Sequence, residues 1–265
     1  MERIPVVILC GGRGTRMGQE TESVPKPMVR IAGERPILWH IMKGYAAAGF
    51  IDFVLCLGYR GDVIRSYFLN YETSSCDFTL RLGRNREVAL RSVPQEEWRV
   101  TLAETGLRTM TGARLKRIEP YVDDSEIIML TYGDGVADVD FGDLLAFHRS
   151  QGKLATVTGV RPPARFGQLR TDGDLVSAFM EKPAIHSSAS YINGGFFVLQ
   201  REVFDLLCAS PECVFEQEPL QQLADSGELA VFRHEGFWQC MDTVRDLETL
   251  SHAWTSGNAP WKVWR

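Results

Sequence analysis

Apolar residues along the chain fall into short continuous runs set between polar turns and helical stretches. Val6 to Leu9, Phe53 to Leu57, Glu126 to Thr131, Leu154 to Val160 and Ile192 to Val198 show little polar alternation. That pattern predicts strands buried on both faces. A different period runs between them. Ile37, Leu38, Ile41, Met42 and Tyr45 follow Arg35-Pro36 at helical spacing and stop at Gly49; Val63, Ile64, Tyr67 and Phe68 repeat it after the turn Gly58 to Asp62. Further helices are predicted over Glu216 to Ser226, with Pro219 in the first turn and Gly227 as the stop, and around Leu247, Leu250 and Trp254. Strand, helix, strand, helix predicts an α/β fold: a mixed, mostly parallel sheet flanked by helices and joined by right-handed crossovers. In such sheets ligands bind beyond the carboxyl ends of the strands.

One stretch breaks the rhythm. From Tyr71 to Arg99 the chain offers weak strands, Phe78 to Leu82 and around Val88 and Leu90, then a better one at Val100 to Ala103. This predicts an insertion over the ligand-binding end at about 71–117. Its arginines (Arg81, Arg84, Arg86, Arg91 and Arg99) read as a solvated face. Arg165 to Leu169 and Leu175 to Phe179 predict a hairpin around Asp172-Gly173.

Composition narrows the class. At 265 residues, 45% hydrophobic and 24% charged, the chain fits one domain over 1–265 with a sizeable core. No apolar run approaches the roughly 18 residues of a membrane span, and Met1 to Pro5 leads into a strand rather than a signal peptide. The expectation is a cytoplasmic protein. A net charge of −5 argues against nucleic acid but not against a nucleotide, which feels only local charge. The six cysteines form no C-x-x-C and read as small hydrophobes in a reducing compartment.

The chemistry concentrates just after the first strand. Gly11-Gly12-Arg13-Gly14-Thr15-Arg16 puts three glycines, a hydroxyl and two guanidinium groups at a strand end. Such a turn exposes backbone N–H groups that cradle phosphate. Lys26 follows between Pro25 and Pro27, a point charge on a stiffened loop. The P-loop pattern is absent, and the dinucleotide pattern G-x-G-x-x-G finds Met17 at its third glycine. Downstream, Thr111-Gly112-Ala113-Arg114 reads as a helix start with Thr111 as N-cap. Asp134 stands between Gly133 and Gly135 at a predicted strand end, placed to hold a metal or to cap the next helix. Asn193 and Gly194 sit inside a predicted strand, where glycine marks close approach of a ligand.

These segments, with Gly33 to Leu38, Glu181-Lys182-Pro183 and Phe237 to Thr243, resemble the sugar-1-phosphate nucleotidylyltransferases over nearly the whole chain. The resemblance implies the Rossmann-like fold of the nucleotide-diphospho-sugar transferases and a reaction between a hexose 1-phosphate and a nucleoside triphosphate. It implies Arg16 and Lys26 as catalytic charges. Nucleotide contacts fall on Leu9, Gly11, Gly12, Arg13, Gly14, Thr15, Thr109, Arg114 and Gly133. Sugar-phosphate contacts fall on Glu181, Lys182, Asn193 and Gly194, and a Mg²⁺ between Asp134 and Asp242. The resemblance points to CTP as the nucleotide, read by the Thr109–Arg114 segment, and to glucose 1-phosphate as the sugar, and relatives assemble as homo-oligomers. Two positions depart from the family pattern. Val24 replaces a lysine before Pro25, and Ala113 replaces a second glycine, where a positive φ would strain it. Other readings stay open: dTTP or UTP or another hexose 1-phosphate in the same chemistry, a non-catalytic nucleotide-binding module, or a metal-dependent glycosyltransferase built on Asp138-Val139-Asp140.

Overall fold

The computed structural model describes residues 3–12, 14, 17–18, 23–84, 86–92, 96–161, 168–172, 175–180 and 191–264. The chain opens with β1 (Val6–Leu9). A short ribbon, β2 (Arg30–Ile31) and β3 (Arg35–Pro36), leads into α1 (Ile37–Ala47). Then come β4 (Asp52–Leu57), α2 (Gly61–Leu69), α3 (Tyr71–Ser75), the hairpin β5 (Phe78–Arg81) and β6 (Glu87–Leu90), β7 (Arg99–Glu104) and α4 (Thr111–Arg117). The second half runs β8 (Ile127–Tyr132), β9 (Gly135–Ala137), α5 (Phe141–Gln151), β10 (Ala155–Val160), the hairpin β11 (Gln168–Asp172) and β12 (Leu175–Met180), and β13 (Ile192–Gln200). It closes with α6 (Glu218–Asp225), β14 (Leu229–His234), β15 (Trp238–Cys240) and α7 (Val244–Thr255).

Seven strands form the central sheet in the order β14-β10-β13-β8-β1-β4-β7. β8, β1, β4 and β7 run parallel, and β14 runs parallel to β10. β13 runs antiparallel to both its neighbours, β10 and β8. Its first residues therefore lie at the edge where the parallel strands end. Asn193 and Gly194 thus arrive at the carboxyl end of β8, with Asn193 beside Tyr132.

Strand periodicity sorts the core into two layers. Val6, Ile8, Phe53, Leu55 and Met129 pack with Ile37, Ile41 and Tyr45 of α1 and with Phe141 of α5. Val7, Leu9, Val54, Cys56, Ile128 and Leu130 face the other way, onto Leu115, Phe204, Phe215 and Leu223. Burial on both faces explains the absence of polar alternation in these runs.

Several local expectations change. The N-cap of α4 is Met110, and Thr111 is its first helical residue. Its hydroxyl is engaged elsewhere: it donates to Glu216 Oε2 (2.5 Å) and accepts the Phe215 N–H (3.0 Å). Ala113 lies inside the helix and is not among the residues of positive φ, so its methyl carries no strain. Asp140 is the N-cap of α5, accepting the Asp143 N–H at 2.9 Å, and Asp138 lies 2.9 Å from His234. Both carboxylates of the D-x-D motif have structural partners. Arg99 is not simply solvated: it donates to Asp52 at the amino end of β4, which Arg3 also grips. The β5–β6 hairpin is exposed along its length.

The carboxyl-terminal segment is packed down by aromatic contacts. His40 of α1 is buried among Trp39, Trp254, Trp261 and Trp264. Trp261 Nε1 donates to His40 Nδ1 (3.4 Å). Burial drives the His40 pKa down to about 3.

Candidate active site

The carboxyl ends of β1 and β8 open onto a cavity of about 430 Å³. Its wall on one side is the glycine turn. Tyr59 N–H donates to Gly11 O (3.1 Å), and Cys10 N–H to Cys56 O (3.1 Å), tying the turn to β4. Gly14 takes a left-handed φ of 61°, which glycine adopts without steric cost. Arg13, Thr15 and Arg16 lie outside the described residues, as do Glu181 and Lys182.

Beneath the turn lies Arg114, only 5% exposed. Its Nη1 donates to Leu57 O (2.9 Å) and Thr105 Oγ1 (2.7 Å), and its Nη2 to Gly11 O (3.1 Å). A Cβ on Gly11 would fall inside this guanidinium, and one on Gly58 would lie 2.5 Å from Nη1. The glycines therefore make room for a buried cation that braces the turn from below. Burial lowers the Arg114 pKa, but guanidinium remains charged at any working pH. Thr109 is buried and accepts from Arg117 Nη1 (2.9 Å). Both Thr109 and Arg114 line the cavity.

The floor carries the charged side chains Lys26, Asp134 and Asp242. The Pro25-Lys26-Pro27 segment folds into a 3-10 turn over Lys26–Met28. Gly133 donates its N–H to Leu9 O (3.1 Å), and a Cβ there would lie 2.8 Å from Pro27 Cγ. Pro27 thus seats on Gly133, which sets Lys26 beside the next residue, Asp134. Lys26 Nζ donates to Asp134 Oδ2 and to Asp242 Oδ1, both at 2.6 Å. Burial opposes the ammonium, but the two carboxylates outweigh it, and the Lys26 pKa rises.

Asp242 is delivered from the far end of the chain. β15 pairs antiparallel with β9, Cys240 opposite Gly135, and Met241 N–H donates to Asp134 O (2.8 Å). Thr243 and Asp246 then form a capping box at the start of α7, and Asp246 Oδ2 also accepts the Asp242 N–H (3.0 Å). A capping box satisfies two helix-end donors and fixes the entering chain.

A smaller recess of about 50 Å³ adjoins the floor, bounded by Tyr132, Asp134, Asn193, Gly194, Trp238 and Cys240. Trp238 Nε1 donates to Gly194 O (2.7 Å). Asn193 Nδ2 donates to Tyr132 Oη (3.3 Å), and Tyr132 donates to Glu216 Oε1 (2.5 Å).

The fold therefore brings together Leu9, Gly11, Gly12, Gly14, Lys26, Thr109, Arg114, Gly133, Asp134 and Asp242 around one cavity, with Asn193 and Gly194 in the adjoining recess. Sequence reasoning missed three members. Tyr132 directly precedes Gly133-Asp134, and its place at a strand end was the available signal. Glu216 carried none, because its partners Thr111 and Tyr132 are remote in sequence. Cys240 was expected to be a buried hydrophobe, but its thiol lines the cavity and donates to Asp242 Oδ2 (3.6 Å). Burial, reinforced by Asp242 and Asp134, pushes that thiol up to about 11, so it stays protonated.

The described arrangement fits known proteins. The family described as nucleotidyl transferase matches residues 5–256. The glucose-1-phosphate cytidylyltransferase of Salmonella typhi is 51% identical over 97% of this chain and 98% of its own length. The mannose-1-phosphate guanyltransferase of Gibberella zeae is 31% identical over 91% of this chain and 61% of its own. Among solved structures, HddC from Yersinia pseudotuberculosis superposes with a TM-score of 0.67 at 21% identity, covering 95% of this chain and 99% of that one. At that identity the likeness speaks for the fold alone.

Proposed function

The chain belongs to the nucleotidyl transferase family, and from that membership we propose that residues 1–265 act as one domain that converts CTP and α-D-glucose 1-phosphate into CDP-glucose and pyrophosphate. The choice of CTP and glucose rests on the 51% identity to the Salmonella typhi enzyme along almost the full length of both chains. The observation that carries the chemistry is the cavity floor, where Lys26 bridges Asp134 and Asp242 below the glycine turn.

In this reading a phosphate oxygen of the sugar phosphate attacks the α-phosphorus of CTP, and pyrophosphate leaves. The attacking oxygen is already ionised, so no protein base is needed. Catalysis is positioning and charge stabilisation. The glycine turn offers backbone N–H groups to the triphosphate, and Arg114 holds that turn rigid from below. Lys26, kept cationic by its two carboxylates, follows the charge that develops on the phosphoryl oxygens. Arg16 holds the leaving phosphates. Asn193 and Gly194 take the sugar, with Glu181 and Lys182 on its hydroxyls and phosphate. The paired carboxylates supply hard oxygen donors of the kind Mg²⁺ takes beside substrate phosphates, and Asp134 and Asp242 would hold it. That ion supplies Lewis-acid neutralisation of the phosphates. The reading also places the enzyme in the cytoplasm as a homo-oligomer, which fractionation and light scattering measure.

The test is pyrophosphate release with Mg²⁺ and glucose 1-phosphate, with CTP, UTP, dTTP, ATP and GTP in parallel. Release with CTP alone is expected. Release with a different nucleotide instead would move the base assignment, and no release with any would overturn the reading.

A further inference from the structure

Glu216 lies two residues before α6 and is exposed. The reaction proposed above gives it no role, yet both of its oxygens are engaged. Oε2 accepts the Thr111 hydroxyl and Oε1 the Tyr132 hydroxyl, each at 2.5 Å. Thr111 and Tyr132 line the main cavity, and Tyr132 also bounds the recess that holds Asn193. One carboxylate thus reaches from the first turn of α4 to the end of β8.

The α4 side of this bridge is clamped by other bonds. Phe215 N–H donates to Thr111 Oγ1 (3.0 Å), Met110 N–H to Pro211 O (2.8 Å) and Ala113 N–H to Cys213 O (3.1 Å). Phe215 is fully buried and meets Phe197 edge-on at 5.4 Å. Glu216 therefore projects from a backbone that is already held.

The Tyr132 ring is held as well. It lies over Gly195, whose φ is 82° and where a Cβ would stand 2.6 Å from Tyr132 Cδ2. Phe197 meets the ring edge-on at 6.2 Å. This fixes where Oη sits but not where its proton points. Burial, then Glu216, raise the Tyr132 pKa, so the hydroxyl keeps its proton. An ionised carboxylate only accepts, so the proton points at Glu216 and the lone pairs face away from it. One lone pair accepts Asn193 Nδ2 (3.3 Å). The other end of that amide is set by Gly195, whose N–H donates to Asn193 Oδ1 (2.8 Å). Without the carboxylate, the Tyr132 proton is free to turn onto the Asn193 side, where it would oppose the Nδ2 donor.

We propose that Glu216 is a positioning residue for the sugar phosphate: by accepting the Tyr132 hydroxyl it keeps the Asn193 amide turned so that its second Nδ2 hydrogen is offered to a sugar hydroxyl. This rests on the proposed reaction, in which Asn193 meets the sugar. The nucleotide side is spared, because the first turn of α4 keeps its three backbone ties when Glu216 is lost.

Steady-state pyrophosphate release is measured with glucose 1-phosphate and CTP, each varied while the other is saturating, for the parent, Glu216→Ala, Tyr132→Phe and the double variant. Glu216→Ala is expected to raise the glucose 1-phosphate KM about three- to tenfold and to leave the CTP KM within about twofold. Because Glu216 acts through Tyr132, the double variant should be no worse than Tyr132→Phe alone. An unmoved glucose 1-phosphate KM, a parallel rise in both KM values, or effects that multiply in the double variant would overturn the proposal and leave the reaction standing. A parent that releases no pyrophosphate would instead overturn the reaction, and the role of Glu216 with it.

Discussion

Replacing Lys26 by methionine separates two consequences of one buried ammonium. Side-chain length is kept and the charge is lost. Asp134 Oδ2 and Asp242 Oδ1 each lie 2.6 Å from Lys26 Nζ. They are thus at most about 5 Å apart, and without the ammonium they repel by about 3 kcal/mol at an effective dielectric of 20. The Asp134 side chain is 31% exposed, so solvent screening leaves about half of that, roughly 1.5 kcal/mol. A divalent cation relieves this repulsion in the variant, whereas in the parent it must displace Lys26. Lys26→Met is therefore expected to bind Mn²⁺ about tenfold more tightly in the absence of nucleotide. Turnover should move the other way, falling about 10²- to 10³-fold, as when a pre-placed transition-state charge is removed. Calorimetric titration with Mn²⁺ reads the first effect and pyrophosphate release at saturating substrate reads the second. Mn²⁺ binding that is unchanged or weaker would refute the competition between lysine and cation. Near-parental turnover would refute the catalytic role.

Gly11→Ala places a methyl where the Arg114 guanidinium lies. Displacing charge-assisted hydrogen bonds typically costs about 1.5–3 kcal/mol, so a lower thermal midpoint and a higher nucleotide KM are expected together; a parental midpoint would contradict the packing argument. Acid should destabilise the fold through His40 and His148, whose pKa values burial drives from 6.5 to about 3 and about 4. Both are depressed, so the unfolded chain takes up protons that the native chain refuses. Stability is full above pH 6.5 and falls as pH drops toward 4, by about 1.4 kcal/mol per pH unit for each histidine. Urea unfolding at pH 7 and pH 5 measures it, and equal stabilities would refute the assignment. Tyr132→Phe removes the hydroxyl linking Asn193 to Glu216 and is expected to raise the sugar-phosphate KM about tenfold while leaving the CTP KM within about twofold; a selective effect on CTP would contradict it.

The parts of the fold that were legible in the sequence are those governed by local period. Val6 to Leu9 and Phe53 to Leu57 read as strands because burial on both faces leaves no polar residue in them, and Gly49 and Gly227 marked helix ends through their positive φ. The glycine turn and Asp134 could be placed at strand ends for the same reason. What periodicity does not encode is which distant side chains meet. Arg114 read as a nucleotide contact in a helix start; its burial under Gly11 depends on two missing Cβ atoms, one of them at Gly58. Arg99 read as solvated because its partner, Asp52, lies on the neighbouring strand in register. Thr111 looked like a cap because threonine favours that position. Its hydroxyl is drawn instead to Glu216, a partner that only the tertiary fold supplies.

The ion pair between Lys26 and Asp242 spans 216 residues, and that span has a temporal meaning. As the chain leaves the ribosome from its amino end, β1, the Lys26 turn and later Asp134 can assemble without the second carboxylate. Asp242 arrives only when β15 lays itself on β9 and the capping box starts α7. The entropic cost of closing so long a loop rises only with the logarithm of its length, so the delay is one of order rather than of difficulty. Nascent fragments that stop short of β15 hold the glycine turn and a lysine neutralised by one aspartate. The second carboxylate of the Lys26 ion pair is thus in place only once β15 has been made.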